Sequence, residues 1–226
     1  MKRLGAVVFC ILLCAQIRGQ SGTITTVAGG DWIFPRDVPM AINVPLGQMP
    51  AVALDAQGYV YAADCGNNLV IRVSPTGAFR IVAGNGIAGY SGDGGPAAEA
   101  SLLLSDDCSL GIALDTAGNL FIGDVGNHRV RKVSTNGVIT TVAGTGSPGF
   151  SGDGGSATSA SIDTPTSVSV DASGNILFLD KGNSRIRKVS VSGVITDGRR
   201  KWRRCVLGRR RSGNGGFVAL SQRNCD

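Results

Sequence analysis

Two five-residue loops of identical sequence, Ser91-Gly92-Asp93-Gly94-Gly95 and Ser151-Gly152-Asp153-Gly154-Gly155, carry residue types suited to holding an ion. Successive glycine N–H groups can cradle an anion, and an aspartate among glycines can give calcium an oxygen. Each loop has one carboxylate, whereas a calcium site gathers about six to eight oxygens. The expectation is therefore a glycine-permissive connector between strands. His128 is the only histidine of the chain, so a multi-histidine zinc site is not available, and no metal or cofactor is expected. A Ser-His-Asp triad would have to use His128, and no nucleophile-elbow sequence accompanies it. These residues must be positioned by the elements around them, and those elements repeat.

Val27-Ala28-Gly29 recurs as Val82-Ala83-Gly84 and Val142-Ala143-Gly144. Asp55, Asp115 and Asp171 recur at offsets of 60 and 56, each followed three positions on by Gly58, Gly118 and Gly174. Gly66-Asn67, Gly126-Asn127 and Gly182-Asn183 keep the same two offsets. Three markers in one order define a repeat, cut at about 21–75, 76–135 and 136–191. Recurrence assigns Asp55, Asp115, Asp171, the three glycines and Asn67, Asn127 and Asn183 to folding, because an active site is needed once. Asp64, Asp124 and Asp180, with Leu69, Arg129 and Arg185 five residues on, read in the same way as turn chemistry within each unit.

Each unit reads as four short strands. In the second copy Leu110 to Leu114 is an apolar run that ends at Asp115-Thr116-Ala117-Gly118. An aspartate opening and a glycine closing four residues suits a type I turn. Leu120-Phe121-Ile122 is apolar without alternation, as for a strand covered on both faces. Asp124 to Asn127 is the next turn, where glycine and asparagine can take positive φ. Arg129 to Val133 alternates charge with valine, which predicts a more exposed strand. Asn136-Gly137 is a hairpin signal leading into the β-branched run Val138 to Val142. Sustained helical periodicity is absent, and glycine supplies 34 of 226 residues without a three-residue period, which excludes collagen. Four antiparallel strands per unit at this spacing predict an all-β chain of β-propeller blades, about three of them, in an incomplete propeller.

The segments Ala113 through Ser134 and Val170 through Ser190 resemble NHL repeats, a propeller family named for an Asn-His-Leu tripeptide. Asn127-His128 matches its first two letters, Asn67-Asn68-Leu69 its first and third, and Asn183 its first. The resemblance covers about residues 22–198 and departs most in the first copy, where Trp32 to Pro45 replaces the glycine-rich connector. Family members commonly form six-bladed propellers that bind proteins, nucleic acid or small molecules, and a few relatives are enzymes. Family likeness alone transfers no activity.

Charge separates the body from its ends. The chain has a net charge of +6 and a pI near 9.2. Residues 1–20 hold three basic side chains, and residues 199–226 hold nine against Asp226. Residues 21–198 keep ten basic and fifteen acidic side chains, a net of −5. That balance argues against a nucleic-acid surface. Lys2-Arg3 followed by the apolar stretch Leu4 to Ala15 has the pattern of a secretory signal peptide over 1–20, with an uncleaved anchor as the alternative. The expected location is secreted or periplasmic, without a stable membrane span after cleavage.

The tail breaks the repeat. Ser192-Gly193-Val194-Ile195-Thr196 opens a further copy, and Asp197 to Trp202 then abandons it. Synonymous codons exist for which deleting one base near codon 197 restores Thr-Val-Ala-Gly, and further on Ser-Gly-Asp-Gly-Gly-Pro-Ala, the segment at 91–97. A truncating frameshift is the expectation for 199–226; a basic nucleic-acid or membrane arm is the rival. Of six cysteines, Cys10 and Cys14 fall in the signal and Cys205 and Cys225 in the tail. Cys65 and Cys108 remain, at points that hairpin geometry places on one propeller face in adjacent blades. They are either a disulfide or two thiols. The function expected is an exported binding or scaffolding module for a protein, peptide or carbohydrate, using loops at one face. The alternative is a fragment of a propeller lyase or lactonase whose metal ligands lie in other blades.

Overall fold

The computed structural model describes residues 45–104 and 109–198. The signal-like segment, Val27-Ala28-Gly29, Cys108 and the basic tail lie outside the described residues. Twelve strands form three four-stranded sheets. The first sheet is β1 (Ala51–Leu54), β2 (Val60–Asp64), β3 (Leu69–Val73) and β4 (Phe79–Ala83). The second is β5 (Ile112–Leu114), β6 (Leu120–Asp124), β7 (Arg129–Val133) and β8 (Ile139–Ala143). The third is β9 (Pro165–Val170), β10 (Ile176–Asp180), β11 (Arg185–Val189) and β12 (Ile195–Asp197). All neighbours pair antiparallel in chain order. Thus the strand following each cut at 75, 135 and 191 completes the sheet before it.

Turn chemistry sets this registration. Asp115 Oδ1 accepts the N–H groups of Ala117 and Asn119 at 3.0 and 2.8 Å. Gly118 leaves the turn at φ +84°, a conformation that strains any residue with a Cβ. Asp55 and Asp171 cap their turns in the same way. Between the third and fourth strands the Asn136-Gly137 hairpin forms, with only Gly137 at positive φ. Its closure is a four-residue turn in which Ser134 N–H reaches Val138 O and Gly137 N–H reaches Ser134 O.

The turn after the second strand differs from the expectation. Val125–Asn127 forms one 3₁₀ turn, and the positive φ falls on the next residue, His128, at 51°. Asn68 and Ser184 take the same conformation at 53°. A 3₁₀ turn is commonly left through one left-handed residue, which moves the requirement past Gly126 and Asn127. Gly126 serves another purpose: a Cβ there would collide with the Leu103 side chain.

Two apolar cores lie between sheets rather than within them. One joins the first and second sheets through Tyr61, Val70, Leu102, Leu104, Ile112, Ile122 and their neighbours. The other joins the second and third through Phe121, Val130, Ile162, Phe178 and Ile195. Outer faces without a neighbouring sheet among the described residues are partly open, although Leu46 and Met49 pack over Ala62, Leu69, Ile71 and Val73 on that of the first sheet. Leu179 and Ile186 are 37% and 51% exposed, while the aligned Gly123 and Val130 are buried. Val52 and Leu54 are 45% and 59% exposed, against 7% for Ile112, which aligns with Val52. Each sheet is built to be covered on both sides, as propeller blades are.

Candidate functional site on the loop face

The connectors from one blade's outer strand to the next blade's inner strand share a face with the turns at 125–128 and 181–184. Each connector works as a bracket. Gly84 N–H binds Ala97 O, and Ala97 N–H binds Gly137 O of the second blade. Gly94 N–H donates to Ile139 O while Ile139 N–H donates to Gly95 O, so the glycine-rich loop pairs with the start of β8. The next connector repeats these bonds with Gly144, Ala157, Gly193, Gly154, Gly155 and Ile195. Of the amides that could have cradled an anion, those of Gly94, Gly95, Gly154 and Gly155 are therefore bonded within the fold.

The aspartates are also spent. Arg131 is fully buried and gathers both Asp93 and Asp124. Its Nε and Nη2 donate to Asp93 Oδ1 at 3.1 and 2.7 Å, Nη2 also reaches Ser91 O at 3.0 Å, and Nη1 donates to Asp124 Oδ2 at 3.2 Å. Arg187 repeats the arrangement with Asp153 at 2.7 Å, Ser151 O at 3.1 Å and Asp180 at 3.2 Å. Its Nε is the one buried side-chain polar atom without a partner among the described residues, so the second clamp is one bond weaker.

This corrects two expectations. β7 is not an exposed strand: Arg131 and Val130 are both fully buried, because an arginine paired on two sides can enter a core that would reject it unpaired. Nor are Asp64, Asp124 and Asp180 mere turn residues. All three are fully buried and accept an N–H from the incoming connector: Gly47, Leu103 and Asp163 at 3.0, 2.9 and 2.7 Å. The charge partner is Arg131 or Arg187, seven residues on, rather than Arg129 or Arg185.

Two carboxylates sharing one guanidinium separate in acidity. Burial raises the Asp93 carboxyl, but hydrogen bonds from Thr141 and Tyr90 and the Arg131 charge together hold it below its ordinary value. For Asp124, burial dominates the Leu103, Asn127 and Arg131 contacts and pushes the carboxyl up.

An aromatic ring covers each clamp. Tyr90 and Phe150, at the same place in successive connectors, are 43% and 41% exposed. The Arg129 guanidinium lies 3.7 Å from the Tyr90 ring centroid and Arg185 lies 3.9 Å from that of Phe150. Arg131 and Arg187 stand 4.8 and 4.7 Å from the same rings. Cation–π contact on this scale fixes the rings while leaving apolar surface open to solvent.

The asparagines predicted from the repeat join this network. Asn127 Nδ2 donates to Gly89 O and Asp124, and Asn183 Nδ2 to Gly149 O and Asp180. Among the described residues, Asn67 Nδ2 reaches only its own Asp64. The following residue pegs one blade to the next: Asn68 Oδ1 accepts Leu104 N–H at 2.9 Å, and His128 Nδ1 accepts Thr164 N–H at 3.2 Å. Asp163 Oδ1 also stands 3.2 Å from His128 Nδ1. Cys65 is disulfide-bonded, while Cys108 lies outside the described residues. Groups of three or more His, Cys, Asp or Glu arranged to hold a metal are absent among the described residues.

Arg131, Arg187, Tyr90 and Phe150 escaped the sequence reading. The signal was present: aligning the repeats sets Ile71 against Arg131 and Arg187, and the arginine appears only where a glycine-rich loop precedes the blade.

No protein-family model matches the chain. Mouse (Mus musculus) teneurin-1 is 32% identical over 139 residues, 55% of this chain and 5% of that protein. Chicken (Gallus gallus) teneurin-1 is 32% identical over 193 residues, 76% and 7%. The chain thus spans a small fraction of the curated relatives it matches. Among solved structures, an auxiliary nutrient binding protein from Bacteroides thetaiotaomicron superposes with a TM-score of 0.53 at 21% identity, over 70% of this chain and 39% of that one. Its counterpart from Bacteroides ovatus gives 0.51 at 20%, over 71% and 40%. The fold is an incomplete β-propeller. Enzymes also occur among similar structures, including virginiamycin B lyase from Staphylococcus aureus, at a TM-score of 0.46, 16% identity and coverage of 70% and 43%. Likeness at these identities concerns the fold.

Proposed function

We propose that this chain is an exported NHL-type propeller module that binds a protein, peptide or carbohydrate through its loop face. The observation that carries the reading is the paired presentation of Tyr90 and Phe150. Both rings are about two-fifths exposed and held by guanidinium contacts in equivalent loops of neighbouring blades. A rigid aromatic contributes contact area with little ordering cost, the property that makes such residues binding anchors. Their Arg–Asp supports consume the loop's polar groups, which leaves stacking and shape rather than acid–base chemistry. Export is supported by the Lys2-to-Ala15 signal pattern, and none of the described helices is long and apolar enough to cross a membrane. Cys65 pairing with Cys108 fits that compartment; mass spectrometry of non-reduced peptides reads it directly.

The test is a set of defined oligosaccharide and peptide arrays probed with the full chain and with Tyr90→Ala/Phe150→Ala. Hits lost in the double variant, at unchanged melting temperature, support the loop face. Hits that persist in the variant, or arrays without hits, overturn it.

A further inference from the structure

A cleft of about 320 Å³ opens between the first and second blades, bordered by Pro96 to Ala98 of the connector and by the turn that precedes β8. Tyr61, Arg72 and Arg80 form one wall, and the turn Ser134 to Asn136 forms the other. The three wall residues stand directly opposite one another on β2, β3 and β4, so their side chains leave the same sheet face. Tyr61 belongs to the core that joins the two blades, so this face looks toward the second blade.

Two arginines directly opposite each other repel and weaken the strand pair unless something neutralises them. Neither is ion-paired among the described residues. Arg72 stacks on Tyr59 with its guanidinium 4.7 Å from the ring centroid. The other blades avoid the problem. In the third, Lys188 takes the place of Arg72 and pairs with Asp171 at 3.4 Å, and Thr196 takes the place of Arg80. In the second, Lys132 lies over Phe121 and faces Thr140. A double, unneutralised cation is particular to the first blade, and it is the blade that opens on the cleft.

We propose that this cleft binds an oxyanion, a carboxylate, sulfate or phosphate group, with the Arg72 and Arg80 guanidiniums as its counter-charge. Guanidinium forks match the planar or tetrahedral oxygens of these groups better than an ammonium does. The Ser134 hydroxyl is spent on Val138 within its own turn, so Thr135 and the Asn136 side-chain amide supply the polar groups for the remainder of a small ligand. The volume lies at the lower end of the range for small-molecule sites. This site is separate from the loop-face aromatics and stands or falls independently of them.

The experiment is isothermal titration of the full chain with sodium sulfate, inorganic phosphate and glucuronate at low chloride. The same titrations are run on Arg80→Gln, Arg72→Gln and the control Lys132→Gln. Arg80 is exposed, so Arg80→Gln retains the fold, and melting curves verify all three variants. The expected result is saturable one-to-one binding of at least one anion, weakened about tenfold or more by Arg80→Gln and Arg72→Gln and unchanged in Lys132→Gln. Tighter glucuronate binding assigns an organic acid, and tighter sulfate or phosphate binding assigns the free oxyanion. Absence of saturable binding, equal loss in Lys132→Gln, or indifference to Arg80→Gln overturns the proposal.

Discussion

The first blade and the two that follow share strand order and turns but differ at the middle of the third strand. Where Arg131 and Arg187 lie buried in the second and third blades, Ile71 lies buried in the first. The buried aspartate does not explain the arginine. Asp64 has none, and its carboxylate accepts N–H groups from Gly47, Asn67 and the Asn67 side chain at 3.0, 3.1 and 2.8 Å. What separates the blades is the loop that precedes them. A glycine-rich loop brings Asp93 or Asp153 to the blade edge, and the guanidinium is present to receive it. The clamp is therefore a fastening for the connector, and the Asp at the strand end is a second partner of the same guanidinium.

Copying the first blade into the second breaks this comparison most severely. Arg131→Ile strands Asp93 and a fully buried Asp124, and should cost about 3–5 kcal/mol in urea denaturation. Adding Asp93→Asn to Arg131→Ile should recover part of that loss, because Asp124 retains its neutral donors as Asp64 does. A smaller loss, about 2 kcal/mol or more, is expected for Gly144→Ala in thermal melts. Gly144 sits at φ +94° with its would-be Cβ against the His128 carbonyl. Asn68→Ala removes the acceptor for Leu104 N–H and should cost about 1–2 kcal/mol by the same measurement, on the peg that both kinds of blade share.

The smallest effect is on acid stability. Hydrogen bonds from the Asn175 side chain and backbone hold Asp171 at about 2, below its ordinary value. A lowered carboxyl stabilises the fold above its unfolded pKa and loses that contribution as pH falls toward the folded one. Melting temperature should therefore drop between about pH 4 and 2, and Asp171→Asn should flatten that drop.

Much of the architecture was legible because turns repeat. Asp115 and Gly118 announce their turn by residue type alone, since a short carboxylate and a positive φ are local requirements. Sheet membership followed from the same markers, although units cut at 75, 135 and 191 separated each outer strand from its blade. The alternation in Arg129 to Val133 misled for a physical reason. Charge in a strand signals exposure only when its partners are unknown, and those of Arg131 lie 7 and 38 positions away. Likewise, one aspartate among glycines resembles half an ion site until its cation proves to be a side chain of the next blade. The aromatic at Tyr90 and Phe150 was invisible as a pair, since Tyr and Phe differ in letter while occupying one position.

A double-mutant cycle on Arg131 and Asp93 tests the fastening most directly, using Arg131→Met, Asp93→Asn and their combination in urea denaturation. A coupling of about 1.5 kcal/mol or more is predicted, with a similar value for Arg187 and Asp153 reduced by the missing Nε bond. Additive losses, with coupling near zero in both blades, would show that the glycine-rich loops hold without the arginines and contradict the account.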